Sequence, residues 1–330
     1  MQLIEAVPNF SEGRDNQTIQ LIAQALASVP KVTLLHLDAG MDANRTVYTL
    51  IGPPDLVLDA LLKASKIAFE RIDMRQHQGN HPRIGALDVC PLIPLSKITL
   101  DETIRLSQQL GKSLAETHQL PVYLYAQSAS SPKRKDLASI RKGGYEALGD
   151  KLSLPEWAPD FGPILPNPRL GASVVGVRPI LIAFNLNLNS CNLEQAQTLA
   201  KALRTRRNTD PQLASVRFFG WVAPQLGRAQ LSTNLLDYHQ CSIAQVFARV
   251  SEVAQNMGMQ VTGSELVGLC PLEALIDQTQ TLSDLPAAIS ALGLDELGHF
   301  DEDSKVIELN LLKKGKIHEV QSLSWRFPNQ

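Results

Sequence analysis

Two apolar, β-branched runs, VTLLHL (32–37) and RTVYTLI (45–51), are separated by only the short stretch DAGMDAN (38–44). Strands that close in sequence pair antiparallel, because a parallel pair needs a crossover of roughly a dozen residues. Helical periodicity flanks the pair on both sides. Ile19, Ile22, Ala23 and Leu26 precede it behind a predicted N-cap at Asp15, and Leu58, Leu61, Leu62, Ala68 and Phe69 follow it behind Pro53 and Pro54. LIEAV at the start and ALDVCPLI after residue 85 add a strand at each end. Thr99 with Glu102 then forms a capping box for a helix through Leu106, Leu110 and Leu114, and PVYLYA (121–126) reads as a further strand. Adjacent paired strands argue against a doubly wound Rossmann sheet, and neither GxGxxG nor GxxxxGK[ST] occurs.

The pattern starts again in the second half. RPILIAFNLNL is a strand, a helix runs through Ala196, Leu199, Ala200 and Leu203, SVRFFGWV and AQLSTNLLDY are paired strands, and a helix follows through Ile243, Val246, Phe247, Val250 and Val253. GALDVCPLIPL (85–95) resembles GSELVGLCPLEAL (263–275), which points to an internal duplication. The predicted fold class is α/β in the α+β sense: two similar ferredoxin-like subdomains, at 1–178 and 179–330, each a mostly antiparallel sheet with helices on one face. The proline-rich stretch PEWAPDFGPILPNP (155–168) reads as a linker, a rigid strap that would leave a cleft between domains.

The hydrophobic fraction of 44%, the charged fraction of 19% and a formal net charge of −2 describe an ordinary globular chain, with no field to attract nucleic acid or a membrane surface. MQLIEAVPNF has no basic stretch before an apolar run, and no run of ~18 apolar residues occurs, so a cytoplasmic protein is expected. Cys90, Cys191, Cys241 and Cys270 lie far apart without a CxxC pair. They read as free thiols rather than disulfides or a zinc site, with Cys90 and Cys270 as packing groups in apolar stretches.

The densest chemistry lies in HQGNHPRIGALDVCP (77–91). His77 and His81 stand four apart, a metal-ligand spacing on a helix, but Gly79, Asn80 and Pro82 deny that helix, so no metal is expected. His81 sits in a loop between a helix and a strand, beside Arg83 and Asp88. Two readings stay open for it from composition alone: an acid–base group, and a solvated loop histidine.

VPNFSEG (7–13), DAGMDANRTVYTLIGPP (38–54), IDMRQHQGNHPRIGALDVCPLIP (72–94), PVYLYAQ, EWAPDFGP (156–163), STNLLDY (232–238) and GSELVGLCPLEAL together resemble the glutamate formimidoyltransferases, the formiminotransferase part of formiminotransferase–cyclodeaminase. The likeness runs in order from about residue 2 to about residue 300. It implies two α/β subdomains facing each other across a folate-binding cleft. It also implies transfer of a formimino group from N-formimino-L-glutamate to N5 of tetrahydrofolate, a step of histidine breakdown and one-carbon metabolism, with tetrahydrofolate as co-substrate. The family's catalytic histidine falls on His81, and His77 lies outside the motif. The family's folate segment falls on Gly162, Pro163, Ile164, Leu165, Pro166, Asn167, Pro168, Arg169, Leu170 and Gly171. Within it ILPNPRL departs from the bifunctional enzymes, as does Glu265, which stands where they have a glutamine. The chain stops at Gln330, which suggests a free-standing transferase with any cyclodeaminase a separate chain, and the resemblance suggests a homodimer.

The chemistry so implied places a neutral imidazole at His81 to take the N5 proton. It calls for a carboxylate facing the amidinium, with Asp38 the first candidate and Asp88 the second. Arginine forks should hold the substrate carboxylates, with Arg45 and Arg83 the nearest in sequence. The basic stretch Lys133, Arg134, Lys135, Arg141 and Lys142 is either a solvated loop or a site for polyglutamyl folate. Two alternatives remain: a folate-dependent transferase for another donor, such as 5-formyltetrahydrofolate or formiminoglycine, and a folate-binding protein without turnover.

Overall fold

The structure, a computed structural model, describes residues 1–277 and 279–323; residues 324–330 of the second expected subdomain lie outside it. The chain divides into two compact units, Met1–Arg178 and a second that begins at Pro179.

In the first unit, β1 (Leu3–Ala6) and β2 (Asn9–Phe10) form one strand line broken at Pro8. Then follow α1 (Asn16–Ala27), β3 (Thr33–Gly40), β4 (Arg45–Gly52), α2 (Pro54–Arg71), β5 (Leu87–Ser96), α3 (Leu100–His118), β6 (Val122–Ala126), α4 (Leu137–Arg141), α5 (Leu148–Leu152) and β7 (Ser173–Val177). The β1/β2 line pairs antiparallel with β4 on one side and β5 on the other, and β4 pairs with β3. Residue patterning decides the faces. Ile4, Ala6, Tyr48, Leu50, Cys90 and Leu92 meet the apolar stripes of the helices in one buried core with Ile22, Leu61 and Leu114. The expected caps form: the Asp15 side chain accepts from the Gln17 N–H, and Thr99 with Glu102 closes the capping box. The β3–β4 hairpin is longer than the sequence suggests, because β3 continues to Gly40.

The second unit runs β8 (Ile182–Leu188), α6 (Leu193–Arg206), β9 (Val216–Ala223), β10 (Arg228–Leu235), α7 (Ile243–Asn256) and β11 (Val261–Val267), followed by α8 (Leu285–Ala291) and short helices over 302–322. Its sheet order is β11–β8–β10–β9, all antiparallel. Counting strands within each βαββαβ core, the order is fourth, first, third, second. The first unit repeats this as β5–β1–β4–β3, so the resembling segments at 85–95 and 263–275 fall at the same topological place. The first unit alone adds parallel strands, β7 and then β6, beyond β5.

The proline-rich stretch is not a linker between units. It folds back on the first one: the Val122 N–H donates to Phe161 O at 2.9 Å and the Asp160 N–H to Val122 O at 2.9 Å, and the chain then enters β7. Proline denies the stretch a ladder of its own, but its remaining N–H groups still need partners, and the edge strand β6 supplies them. Gly162 allows the turn at φ 87°, where a Cβ would lie 2.2 Å from Leu120 O. Nor is the basic stretch a uniform solvated surface. Arg134 is buried, ion-paired to Asp160 at 2.8 Å, while Arg141 reaches from α4 to Asp88 on β5.

Candidate active site

The loop 77–85 is held against the β3–β4 turn by close backbone approach. A Cβ at Gly79 would lie 2.2 Å from Ala43 O, so only glycine lets the two segments meet. The Asn80 N–H donates to Asp42 O at 3.0 Å, and Asn44 Nδ2 donates to Gln78 O at 3.0 Å. His77 completes the clamp: its Nε2–H donates to Asn44 O at 2.7 Å and its Nδ1 accepts from Arg83 Nε at 3.1 Å. Both ring nitrogens are thereby used, and burial lowers the His77 pKa. Among the described residues no group of three or more His, Cys, Asp or Glu side chains converges as a metal site.

His81 is oriented differently. Its Nδ1 lies 2.7 Å from Pro82 O, a group that only accepts, so the proton resides on Nδ1 and the lone pair on Nε2. Arg45 Nη1 stands 2.9 Å from both ring nitrogens, which places it over the ring and off the in-plane axis of that lone pair. Burial first, then the charges of Arg45 and Arg141, push the His81 pKa down to about 3. The imidazole is neutral throughout the physiological range.

Arg45 opens β4 on the face opposite Tyr48 and Leu50, which pack against α1, α2 and α3. Burial and the nearby Arg141 lower its pKa to about 10, against the attraction of Asp88 and Asp38. Asp38 is half-buried on the same hairpin, and its carboxylate has no hydrogen bond among the described residues. Asp88 is committed: it is fully buried, accepts from the Ile84 N–H at 2.9 Å and pairs with Arg141 Nη2 at 2.5 Å. Its carboxylate therefore orients Arg141 rather than facing solvent. Arg83 is committed too, through a bidentate pair with Glu146 at 2.8 Å and through His77. The Arg45 guanidinium, by contrast, hydrogen-bonds only to His81 among the described residues, and Arg141 Nε is buried without a partner. Arg141 was hidden in the sequence among exposed basic neighbours; its one signal was a short apolar frame, Ile140 beside it.

Glu5, on the central strand β1, is a second group that sequence reasoning missed. Burial pushes its pKa up to about 7 despite the Arg178 charge. An acid alternating with Ile4 and Ala6 in a buried strand was the available sign.

The segment 162–171 forms a rigid loop on the first unit. The Asn167 side chain accepts from the Arg169 and Leu170 N–H groups, and the Tyr145 hydroxyl donates to Pro168 O. The loop nevertheless holds Ile164 and Leu165 out, 62% and 76% exposed, as an apolar tip on a fixed base.

With this geometry in view, residues 3–178 match the formiminotransferase domain, N-terminal subdomain, and residues 183–312 match the formiminotransferase domain. The chain belongs to the formiminotransferase family. Among formiminotransferases it is similar to the glutamate formimidoyltransferase of Streptococcus pyogenes serotype M1, 37% identical over 84% of this chain and 91% of that one. The Thermoplasma acidophilum glutamate formimidoyltransferase is 40% identical over the same shares. The formimidoyltransferase-cyclodeaminase of Rattus norvegicus is 43% identical over 98% of this chain, which spans 63% of that relative's length. Among the described residues no helix is long and apolar enough to cross a membrane.

Proposed function

We propose that this formiminotransferase transfers the formimino group of N-formimino-L-glutamate to N5 of tetrahydrofolate, giving 5-formiminotetrahydrofolate and L-glutamate, with His81 as the proton carrier. The carrying observation is a neutral imidazole, fixed by its Nδ1–H to Pro82 O and overlain by a guanidinium that a carboxylate could draw away. Two guanidiniums, Arg45 and Arg141, suit a dicarboxylate donor better than a donor with one carboxylate, such as formiminoglycine.

In this reading the donor's carboxylate takes Arg45 and neutralises a charge that holds the His81 pKa down. N5 attacks the formimino carbon and forms the new N–C bond, and its proton passes to Nε2. Because the amidine enters protonated, the attack gives a tetrahedral adduct whose positive charge sits on nitrogen and then, once the proton has passed, on the His81 imidazolium, so the site needs a carboxylate and not an oxyanion hole. Asp38 fills that need. The C–N bond to the glutamate nitrogen then breaks as that nitrogen takes the proton back from His81. The apolar tip of the 162–171 loop offers the folate's aromatic part a surface, and the solvated lysines Lys133, Lys135 and Lys142 remain for a polyglutamate tail.

The test is an assay with tetrahydrofolate and N-formimino-L-glutamate, acid-treated and read as 5,10-methenyltetrahydrofolate absorbance. Parallel reactions use formiminoglycine and, as a formyl donor, 5-formyltetrahydrofolate. Product only from another donor would replace the donor in this reading; binding without product from any donor would make the chain a folate-binding protein.

A further inference from the structure

Arg141 ends α4, a helix of five residues, which is too short to hold its shape by its own hydrogen bonds. Its guanidinium nevertheless keeps one place, paired with the buried Asp88 and close enough to His81 and Arg45 to lower both of their pKa values. The start of α4 has an ordinary cap, the Asp136 side chain accepting from the Ala138 N–H at 3.2 Å. Its end is held by a group that the transfer chemistry above does not use.

That group is Lys151, on α5. Its Nζ donates to Ser139 O at 3.2 Å, to Ile140 O at 2.5 Å and to Lys142 O at 2.8 Å. The carbonyl left between them, Arg141 O, accepts from the Gly144 N–H at 2.8 Å. Every carbonyl from Ser139 to Lys142 is therefore occupied, and one ammonium serves three of the four. A helix end ordinarily leaves these groups to water, and a cation there also meets the negative end of the helix dipole. An ammonium has three N–H groups, so Lys151 has none left for a ligand.

Lys151 itself stands on a firm base. Nζ lies 4.7 Å from the centre of the Trp157 ring, and Trp157 O accepts from the Tyr123 hydroxyl on β6 at 2.7 Å. Leu148 and Leu152 of the same helix are buried with Ile140 against Tyr123 and Val174 of the sheet. The ammonium is half-buried, and no carboxylate among the described residues pairs with it. Such burial costs free energy, which the three carbonyls offset. We infer that Lys151 is a positioning residue for the donor site: it clamps the backbone on both sides of Arg141 and so sets where that guanidinium meets the substrate carboxylate. The inference rests on the proposed use of Arg141 by the formimino donor.

Steady-state kinetics of the full chain test it with Lys151→Met, Lys151→Arg, Arg141→Met and the double variant Lys151→Met, Arg141→Met. Lys151→Met keeps the apolar stem over Trp157 and should raise the KM for N-formimino-L-glutamate about five- to tenfold, the scale of one hydrogen bond. The KM for tetrahydrofolate should stay within about twofold. Lys151→Arg keeps the charge, and with it the fold, but a planar fork does not converge on three carbonyls from one atom, so it should show the same split. Once Arg141 is replaced, Lys151→Met should change the donor KM by less than about twofold, because the two residues act as one unit. Nitrogen-15 NMR adds a second readout. Displacing Arg141 takes a positive charge away from His81, whose ring should then titrate at higher pH in Lys151→Met, and no higher in the double variant than in Arg141→Met. Wild-type KM values in both lysine variants, an equal rise in both KM values, or the same fold-change with and without Arg141 would each overturn the assignment. If Arg141→Met leaves the donor KM unchanged, it is the donor reading of Arg141 that fails. The His81 titration then decides the clamp by itself: a shift shared by Lys151→Met and Arg141→Met supports it, and an unshifted ring in Lys151→Met overturns it.

Discussion

Arg45 Nη1 stands 2.9 Å from the imidazole of His81, so the group that must accept a proton is covered in the free protein by a permanent cation. A base whose pKa lies near 3 is too weak for proton transfer at neutral pH. The arrangement works only if a ligand moves the guanidinium, and a carboxylate ligand is the natural agent.

That makes the titration of His81 ligand-dependent. In the free protein its ring should stay neutral from pH 8 to pH 5 by nitrogen-15 NMR, with the proton on Nδ1. Because its folded pKa is depressed, its contribution to stability is complete above the unfolded value of roughly 6.5 and is lost as pH falls toward 3. Saturating glutarate, a mimic of the donor's carboxylates, should bring the titration up into the observed window. A free-protein titration near 6.5 would show that Arg45 does not cover the ring.

Arg45→Gln separates binding from chemistry. It removes the fork for the donor carboxylate, so the KM for the formimino donor should rise about tenfold or more. The KM for tetrahydrofolate should stay within about twofold. The His81 ring of this variant should titrate at higher pH without any ligand.

The buried Arg141–Asp88 pair makes a prediction about stability. Arg141→Met leaves a fully buried carboxylate without its counter-charge, which costs roughly 3–5 kcal/mol. Urea denaturation of Arg141→Met beside the double variant Arg141→Met, Asp88→Asn should show the second change recovering part of that loss. A single variant as stable as wild type would contradict the pairing.

Glu5 reports the pH response of the sheet. Its folded pKa is raised to about 7, so its contribution is full below the unfolded carboxylate value and is lost as pH rises through 7. Wild type should therefore lose up to about 3 kcal/mol of unfolding free energy between pH 5 and pH 8 relative to Glu5→Gln. Parallel stability curves for the two proteins would remove this role.

Much of the architecture was legible because it follows from local periodicity and turn length. Ile19, Ile22 and Leu26 had one face to bury, and the short stretch at 38–44 forced an antiparallel pair. The fate of 155–168 was not legible, because proline content says that a segment lacks a ladder of its own but not which strand will hold it. The site divided in the same way. His81 stood out through its glycine- and proline-bound loop. The role of Arg83 depended on Glu146, sixty-three positions away, and that of Asp88 on Arg141, fifty-three positions away.

The central claim is that His81 carries the proton in formimino transfer, and steady-state kinetics of His81→Ala test it most directly. The account predicts a kcat lowered by roughly 10²–10⁴ with the KM for tetrahydrofolate nearly unchanged. Turnover within a few-fold of wild type would contradict it.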